Sequence, residues 1–256
     1  RWLNFDGGAY LYLADRGYFG VGLLQAYFPL YPILIRIGTV SIATITGTSL
    51  PTPLLNIRIA SGLVISSVCS LLFLIASYKY LRLRFRTTFV YLFLAVIATF
   101  PTSFFYHAYY TESVFMLSTI LAFYFFEKKW WLPCALSIAL ASAGRIVGIF
   151  LVPAFMLELY LNEVNHWNIK EMLKQIVPFI QKNFVKLFYL SLGSLGLLSY
   201  MLYLFIVFHD PLFFFHVQSE FGAGRQENLI SFPQVVWRYI KIVWTVRPFD
   251  LKYYAY

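Results

Sequence analysis

Asp6 stands before two glycines in Asn4-Phe5-Asp6-Gly7-Gly8, where a backbone free of Cβ atoms lets a carboxylate come close to a substrate. A carboxylate so placed can work as a general base; capping of an Asx turn is the plainer reading. Arg145 is the one charge between Trp130 and Leu157, and an arginine in mid-bilayer costs at least ~2.5 kcal/mol on insertion scales. Something must pair with it. Gly144 and Gly148 flank it, which allows a broken helix whose freed backbone groups face a cavity rather than lipid. Two roles stay open: a buried ion pair with Glu112, or a planar fork of donors gripping a phosphate. Glu112 itself precedes an apolar stretch, Ser113 to Phe126, of 14 residues. At 1.5 Å per residue that is ~21 Å, short of a ~30 Å hydrocarbon core. The helix is therefore expected to begin before Glu112, which puts an ionisable group at or below the interface, a functional position by default.

Further polar residues gather in two more stretches, around Asp15 and from His209 to Arg225. Here His216, Gln218 and Arg225, with His107 elsewhere, have the donors to contact sugar hydroxyls or a pyrophosphate. Their spacing matches no metal motif. Taken singly, each histidine reads more simply as an interfacial hydrogen-bonding group.

These residues must be positioned by apolar elements. Of 256 residues 60% are apolar, 21% aromatic and only 12% charged, far from the usual quarter of charged residues in a soluble domain. No Asp, Glu, Lys or Arg occurs between Arg58 and Lys79, between Thr87 and Glu112, or between Lys186 and His209. Each gap is long enough to cross a bilayer, which takes ~20 residues. The expectation is an all-α, polytopic transmembrane helical bundle forming one domain over residues 1–256. Residue 1 is Arg, no signal-like segment precedes the first loop, and Tyr256 falls soon after another apolar stretch begins. The chain thus reads as an internal fragment, with an N-terminal span and C-terminal spans missing.

The first 25 residues read as a loop lying against the membrane interface, where Tyr and Trp favour the headgroup level. Residues 26–43 are apolar but interrupted by Pro29, Pro32 and Arg36, and residues 47–53 read as a turn. Spans are expected over about 59–78 and 89–106, then one that begins before Glu112 and ends at Phe126, then over 130–161 and 187–208, with an interfacial helix or connection over 162–186. Lys79, Arg82, Arg84 and Arg86 sit directly beside apolar spans, as cytoplasmic anchors do. The net charge of +9 is accordingly read as topology and contact with anionic membrane lipid, not as affinity for nucleic acid. By alternation, Glu112 and His216 fall outside, and Asp6 does so if residues 26–46 dip in without crossing or cross and return as a hairpin. Cys69 and Cys134 lie in apolar runs and imply neither a disulfide nor a metal site.

The stretches Trp2…Asp6-Gly7-Gly8-Ala9-Tyr10-Leu11-Tyr12-Leu13-Ala14-Asp15-Arg16-Gly17-Tyr18, Ala26-Tyr27-Phe28-Pro29-Leu30-Tyr31-Pro32 and Tyr109-Tyr110-Thr111-Glu112-Ser113-Val114-Phe115 carry a resemblance. Arg145 with Gly148, and Asp210-Pro211-Leu212 leading to His216-Val217-Gln218, complete it. In this order they resemble the polyprenol-phosphate-sugar-dependent glycosyltransferases of the GT-C type, most closely the GPI mannosyltransferase II family and its bacterial relatives. The resemblance implies a GT-C-like bundle whose first extracytoplasmic loop carries the catalytic Asp, here Asp6. It also implies a polyprenyl- or dolichyl-phosphate sugar donor, typically mannose, and a glycan or glycolipid acceptor. One departure is that Ile146-Val147 follow Arg145 where the family often shows Ser-Asn.

The expected chemistry is inverting transfer at the extracytoplasmic or luminal face of a bacterial plasma membrane or an endoplasmic reticulum. Asp6 would act as base, with Asp15, Glu112, Arg145, His216, Gln218 and Arg225 binding substrate. No cofactor is demanded; a divalent metal is compatible with the residues but not required. A multi-spanning transporter or lipid flippase is the alternative, since it too would place Arg145 and Glu112 in the membrane interior, although no related halves are visible in the sequence. A structural scaffold would leave the outward loops without clustered carboxylates.

Overall fold

A computed structural model describes residues 6–18, 22–48, 51–164, 169–221 and 232–245. Among them every regular element is a helix: α1 (Asp6–Arg16), α2 (Leu30–Thr46), α3 (Pro51–Leu81), α4 (Thr87–Thr99), α5 (Glu112–Glu127), α6 (Trp131–Gly144), α7 (Leu151–Glu163), α8 (Ile169–Leu192), α9 (Leu195–Phe208), α10 (Phe213–His216) and α11 (Phe232–Thr245). Short 3₁₀ turns cover Leu23–Ala26, Ser103–Tyr106, Ile146–Phe150 and Val217–Phe221. Two described helices, Leu54–Leu81 and Ile146–Glu163, are long and apolar enough to cross a membrane. They become three if Met172–Leu192 and Leu195–Phe208, bent by 50°, form one span.

The bundle is organised around α5, which packs on both α3 and α6, while α2 lies on α3, and α8 and α9 lie on α6. Contacts between α6 and α9 are close: a Cβ on Gly196 would stand 1.9 Å from the Ala139 carbonyl oxygen. The core divides into three clusters. One, with Tyr10, Tyr31, Ile35, Tyr109 and Val114, joins α1, α2 and α5. Another joins α5, α6, α7 and α8 through Ala122, Ile138, Phe155 and Leu190. The third sets Phe28 and Phe214 against Tyr200 and Leu204 of α9.

Several elements differ from the sequence-based expectation. Over Asp6–Arg16 the expected first loop is a helix. An acid in its first turn and a base in its last complement the helix dipole, and Gly17, at φ 76°, sends its N–H to the Leu13 carbonyl to end it. Helix α2 runs through Pro32, which is harmless in a first turn because the missing N–H has no intrahelical partner there. The expected span over 89–106 stops at Thr99: Phe100, held extended at ψ 139° before Pro101, cannot continue the helix.

Helix α5 begins at Glu112 itself rather than upstream. The expected span over 130–161 is broken at Arg145, which is extended (φ −153°, ψ 141°) between α6 and the following 3₁₀ turn. The polar connection and the span over 187–208 are redistributed: α8 runs to Leu192 with a kink at Asn183, which is non-helical (φ −108°, ψ 15°), and the chain bends again before α9.

Candidate active site

Four of the expected site residues line one cavity of about 610 Å³: Asp6, Glu112, Arg145 and Gln218. They come from four places in the chain. Asp6 opens α1, Glu112 opens α5, Arg145 follows the end of α6, and Gln218 lies in the turn after α10. Two helix N-termini thus present their carboxylates at one mouth, where the dipole's positive end favours them.

Arg145 reaches the cavity because α6 stops one residue before it. A Cβ on Gly148 would lie 2.4 Å from the Ala141 carbonyl carbon and 2.5 Å from the Ser142 nitrogen. Only glycine lets the 3₁₀ turn fold back on α6 that tightly. The Gly148 N–H closes the turn on the Arg145 carbonyl at 2.9 Å. From this corner the Arg145 guanidinium donates Nη1–H to Glu112 Oε1 at 2.8 Å and, more weakly, to Thr111 Oγ1 at 3.5 Å. It also lies 5.9 Å from the centroid of the Phe115 ring. The arginine side chain remains 42% exposed, so donors are left for another anion. Glu112 Oε2 is buried and has no hydrogen-bond partner among the described residues.

Asp6 is held by Tyr27, whose hydroxyl donates to Oδ1 at 3.0 Å. Tyr27 in turn packs edge-on against Tyr10 at 5.2 Å, and Tyr10 against Tyr31 at 5.4 Å. The Tyr10 hydroxyl lies near the Thr111 side chain. Burial, reinforced by the charges of Asp6 and Glu112, pushes the Tyr10 phenol well above its ordinary pKa and keeps it neutral. This buried aromatic block ties α1 to the N-terminus of α5, and so fixes Asp6 relative to Glu112.

Of the other expected site residues, Asp15 and His216 are described and do not line this cavity. Asp15, nine residues after Asp6, is bound to Arg58 at 2.8 Å and Arg16 at 3.4 Å and lines a separate cavity. His216 Nδ1 meets Asp210 Oδ2 at 2.7 Å, and Asp210 Oδ1 caps the Leu212 N–H at 2.9 Å. His216 does not line the central cavity, although its neighbours Phe214 and Phe215 do. Arg225 lies outside the described residues. Among the described residues no group of three or more His, Cys, Asp or Glu is placed to hold a metal ion.

Sequence reasoning did not single out Tyr10 or Tyr27. Their one signal was position, beside Gly7-Gly8 and in Ala26-Tyr27-Phe28-Pro29. No protein-family model, curated protein or solved structure matches this chain, and the functional reading therefore rests on the site itself.

Proposed function

We propose that the chain is an integral-membrane glycosyltransferase that moves a sugar, of which mannose is the first to test, from a polyprenyl-phosphate donor to a hydroxyl of a glycan or glycolipid acceptor. The observation that supports this most is the meeting of Asp6, Glu112, Arg145 and Gln218 in one aromatic-walled cavity of about 610 Å³, a size suited to a small polar ligand. In this reading the acceptor hydroxyl enters beside Asp6. Its oxygen forms the new bond to the anomeric carbon as the carbon–phosphate oxygen bond breaks on the opposite face, with inversion. The hydroxyl proton passes to Asp6, and the electron pair leaves with the lipid phosphate.

That phosphate departs as an anion and needs no acid. Its growing charge is met by Arg145, fixed in advance by Glu112 so that little reorganisation is required as the charge develops. Tyr27 holds the Asp6 carboxylate in place. Glu112 and Gln218 line the cavity where the sugar hydroxyls would lie. The cavity is assigned to the extracytoplasmic or luminal face.

The test is sugar transfer from a polyprenyl-phosphate donor by the full-length protein in lipid, with donor binding measured separately. Asp6→Asn keeps the shape of the side chain but cannot take a proton, so turnover should fall ~10²–10⁴-fold with binding intact. Normal turnover in Asp6→Asn with collapse in Asp15→Asn would move the base to Asp15. Normal turnover in both would remove α1 from the chemistry. A wild-type protein that carries the donor across the bilayer with its sugar still attached would replace this reading with a flippase.

A further inference from the structure

Two further cavities meet at Arg36. One, of about 370 Å³, is chiefly apolar and runs between α1, α2 and α9, lined by Leu13, Pro29, Pro32, Ile33 and Tyr200. The other, of about 360 Å³, is more polar and includes Asp15, Thr39, Thr44, Thr48 and Arg58. Arg36 lines both. It sits in the middle of α2, an apolar helix whose Ile33, Ile37 and Val40 are 50%, 58% and 58% exposed. Arg36 makes no hydrogen bond or ion pair with any described residue.

Charge around the polar cavity does not balance. The lining carries two guanidinium groups, Arg36 and Arg58, against one carboxylate, Asp15, and Asp15 is already paired with Arg58 and Arg16. Arg58 is 9% exposed, and its Nε–H is buried with no partner among the described residues. An arginine on an apolar helix face is costly unless an anion answers it. The Thr39 and Thr44 hydroxyls donate to backbone carbonyls within α2, so their oxygens still have lone pairs but neither supplies negative charge.

We propose that these joined cavities bind one anionic glycerophospholipid, its phosphate between Arg36 and Arg58 and an acyl chain in the apolar groove. The polar cavity alone would suit any small phosphate. The groove that shares Arg36 with it, opening beside the exposed apolar side chains of α2, favours an anion carrying a hydrocarbon chain. Guanidinium forks suit phosphate oxygens, and the apolar lining gains by covering the chain from water. This site does not use Asp6, Glu112 or Arg145, and its existence is independent of the proposed transfer reaction.

Native mass spectrometry of the full-length protein, titrated with phosphatidylglycerol or phosphatidylcholine of equal chain length, tests the proposal. One phosphatidylglycerol should be retained per chain, about 10-fold or more in preference to phosphatidylcholine, as expected for charge-assisted hydrogen bonds. Arg36→Gln should abolish the preference without lowering the unfolding temperature, since no described contact is lost. Ile33→Trp, at an exposed position, should fill the groove and weaken retention of the same lipid. Equal retention of both lipids, or an unchanged preference in Arg36→Gln, would overturn the proposal. So would competition by inorganic phosphate alone, which marks a free-anion site. Displacement by polyprenyl phosphate together with a raised donor KM in Arg36→Gln would assign the cavities to the donor and equally overturn it.

Discussion

Arg145 and Glu112 satisfy each other at 2.8 Å while remaining 42% and 31% exposed, and that combination separates position from stability. A pair this open contributes at most about 1 kcal/mol, so its main effect is to aim the guanidinium. Arg145→Lys keeps the charge but loses the planar fork. Donor affinity should therefore fall about 10-fold with little change in Tm, measured by donor titration and thermal unfolding on the same preparation. Unchanged affinity with a lowered Tm would make the pair structural and end the phosphate-binding role. Asp210 allows a pH test at the neighbouring corner. The hydrogen bond from His216 holds its carboxyl below the usual range, helped by the Leu212 N–H. Its contribution to stability is thus complete above about pH 4, the ordinary carboxylate pKa, and is lost as pH falls through the depressed folded value. The Leu212 amide resonance should titrate below the ordinary range in the wild type and move up toward it in His216→Ala. At this scale the sequence was informative where residues were chemically out of place: Asp6, Glu112 and Arg145 stand out against apolar neighbours. Tyr10 and Tyr27 did not, because the chain has 20 tyrosines and only folding brings these two against Asp6 and Thr111.

Among the elements, the helix break at Arg145 decides where the guanidinium points, and Gly148 permits that break. Adding a Cβ there meets the backbone of Ala141 and Ser142 at 2.4–2.5 Å, and backbone cannot swing aside as a side chain can. Gly148→Ala should cost about 1–3 kcal/mol and reduce transfer further by displacing Arg145. Gly8→Ala is the matched comparison. It sits inside α1 with nothing within 4 Å of a new Cβ, so alanine should stabilise that helix by about 0.5–1 kcal/mol. Chemical denaturation of the two variants should shift in opposite directions; a shift in the same direction would contradict the backbone approach described at Gly148. The break was legible because two glycines around a lone arginine in an apolar run are hard to reconcile with a continuous span. Helix α1 was not legible, since glycines and tyrosines gave its sequence the look of a loop. What makes it helical is a pair of terminal charges and burial of Tyr10, Leu13 and Ala14 against neighbouring elements. The starts of α5 and α9 were misplaced for a related reason: hydropathy measures apolar length, whereas Thr111 and the bend at Gly193 set helix ends through local geometry.

Across the whole molecule the candidate site and the basic turns lie at opposite ends of the same helices. Helix α5 starts at the cavity with Glu112 and ends at Glu127, about 24 Å along at 1.5 Å per residue. Glu127 is paired with Arg84 in the turn after α3, so the turns joining α3 to α4 and α5 to α6 meet at that end. At the other end of α3, the Tyr109 hydroxyl donates to the Arg58 carbonyl at 3.3 Å, next to the residues that precede Glu112. The basic residues Lys79, Arg82, Arg84, Arg86, Lys128 and Lys129 thus gather in or beside these two turns. Clustered Lys and Arg beside apolar spans are expected on the cytoplasmic side, and the proposed function accordingly puts the cavity on the opposite face. The prediction is made with single cysteines in the full-length protein after Cys69 and Cys134 are replaced by alanine or serine. Arg84→Cys should resist an impermeant maleimide in intact cells and react after permeabilisation. His107→Cys, exposed just before the residues that open α5, should react in both. Reaction of position 84 in intact cells with protection of position 107 would invert the assignment and put the cavity in the cytoplasm. An extracytoplasmic lipid-linked donor would then be unable to reach it, whatever Asp6 and Arg145 could do chemically.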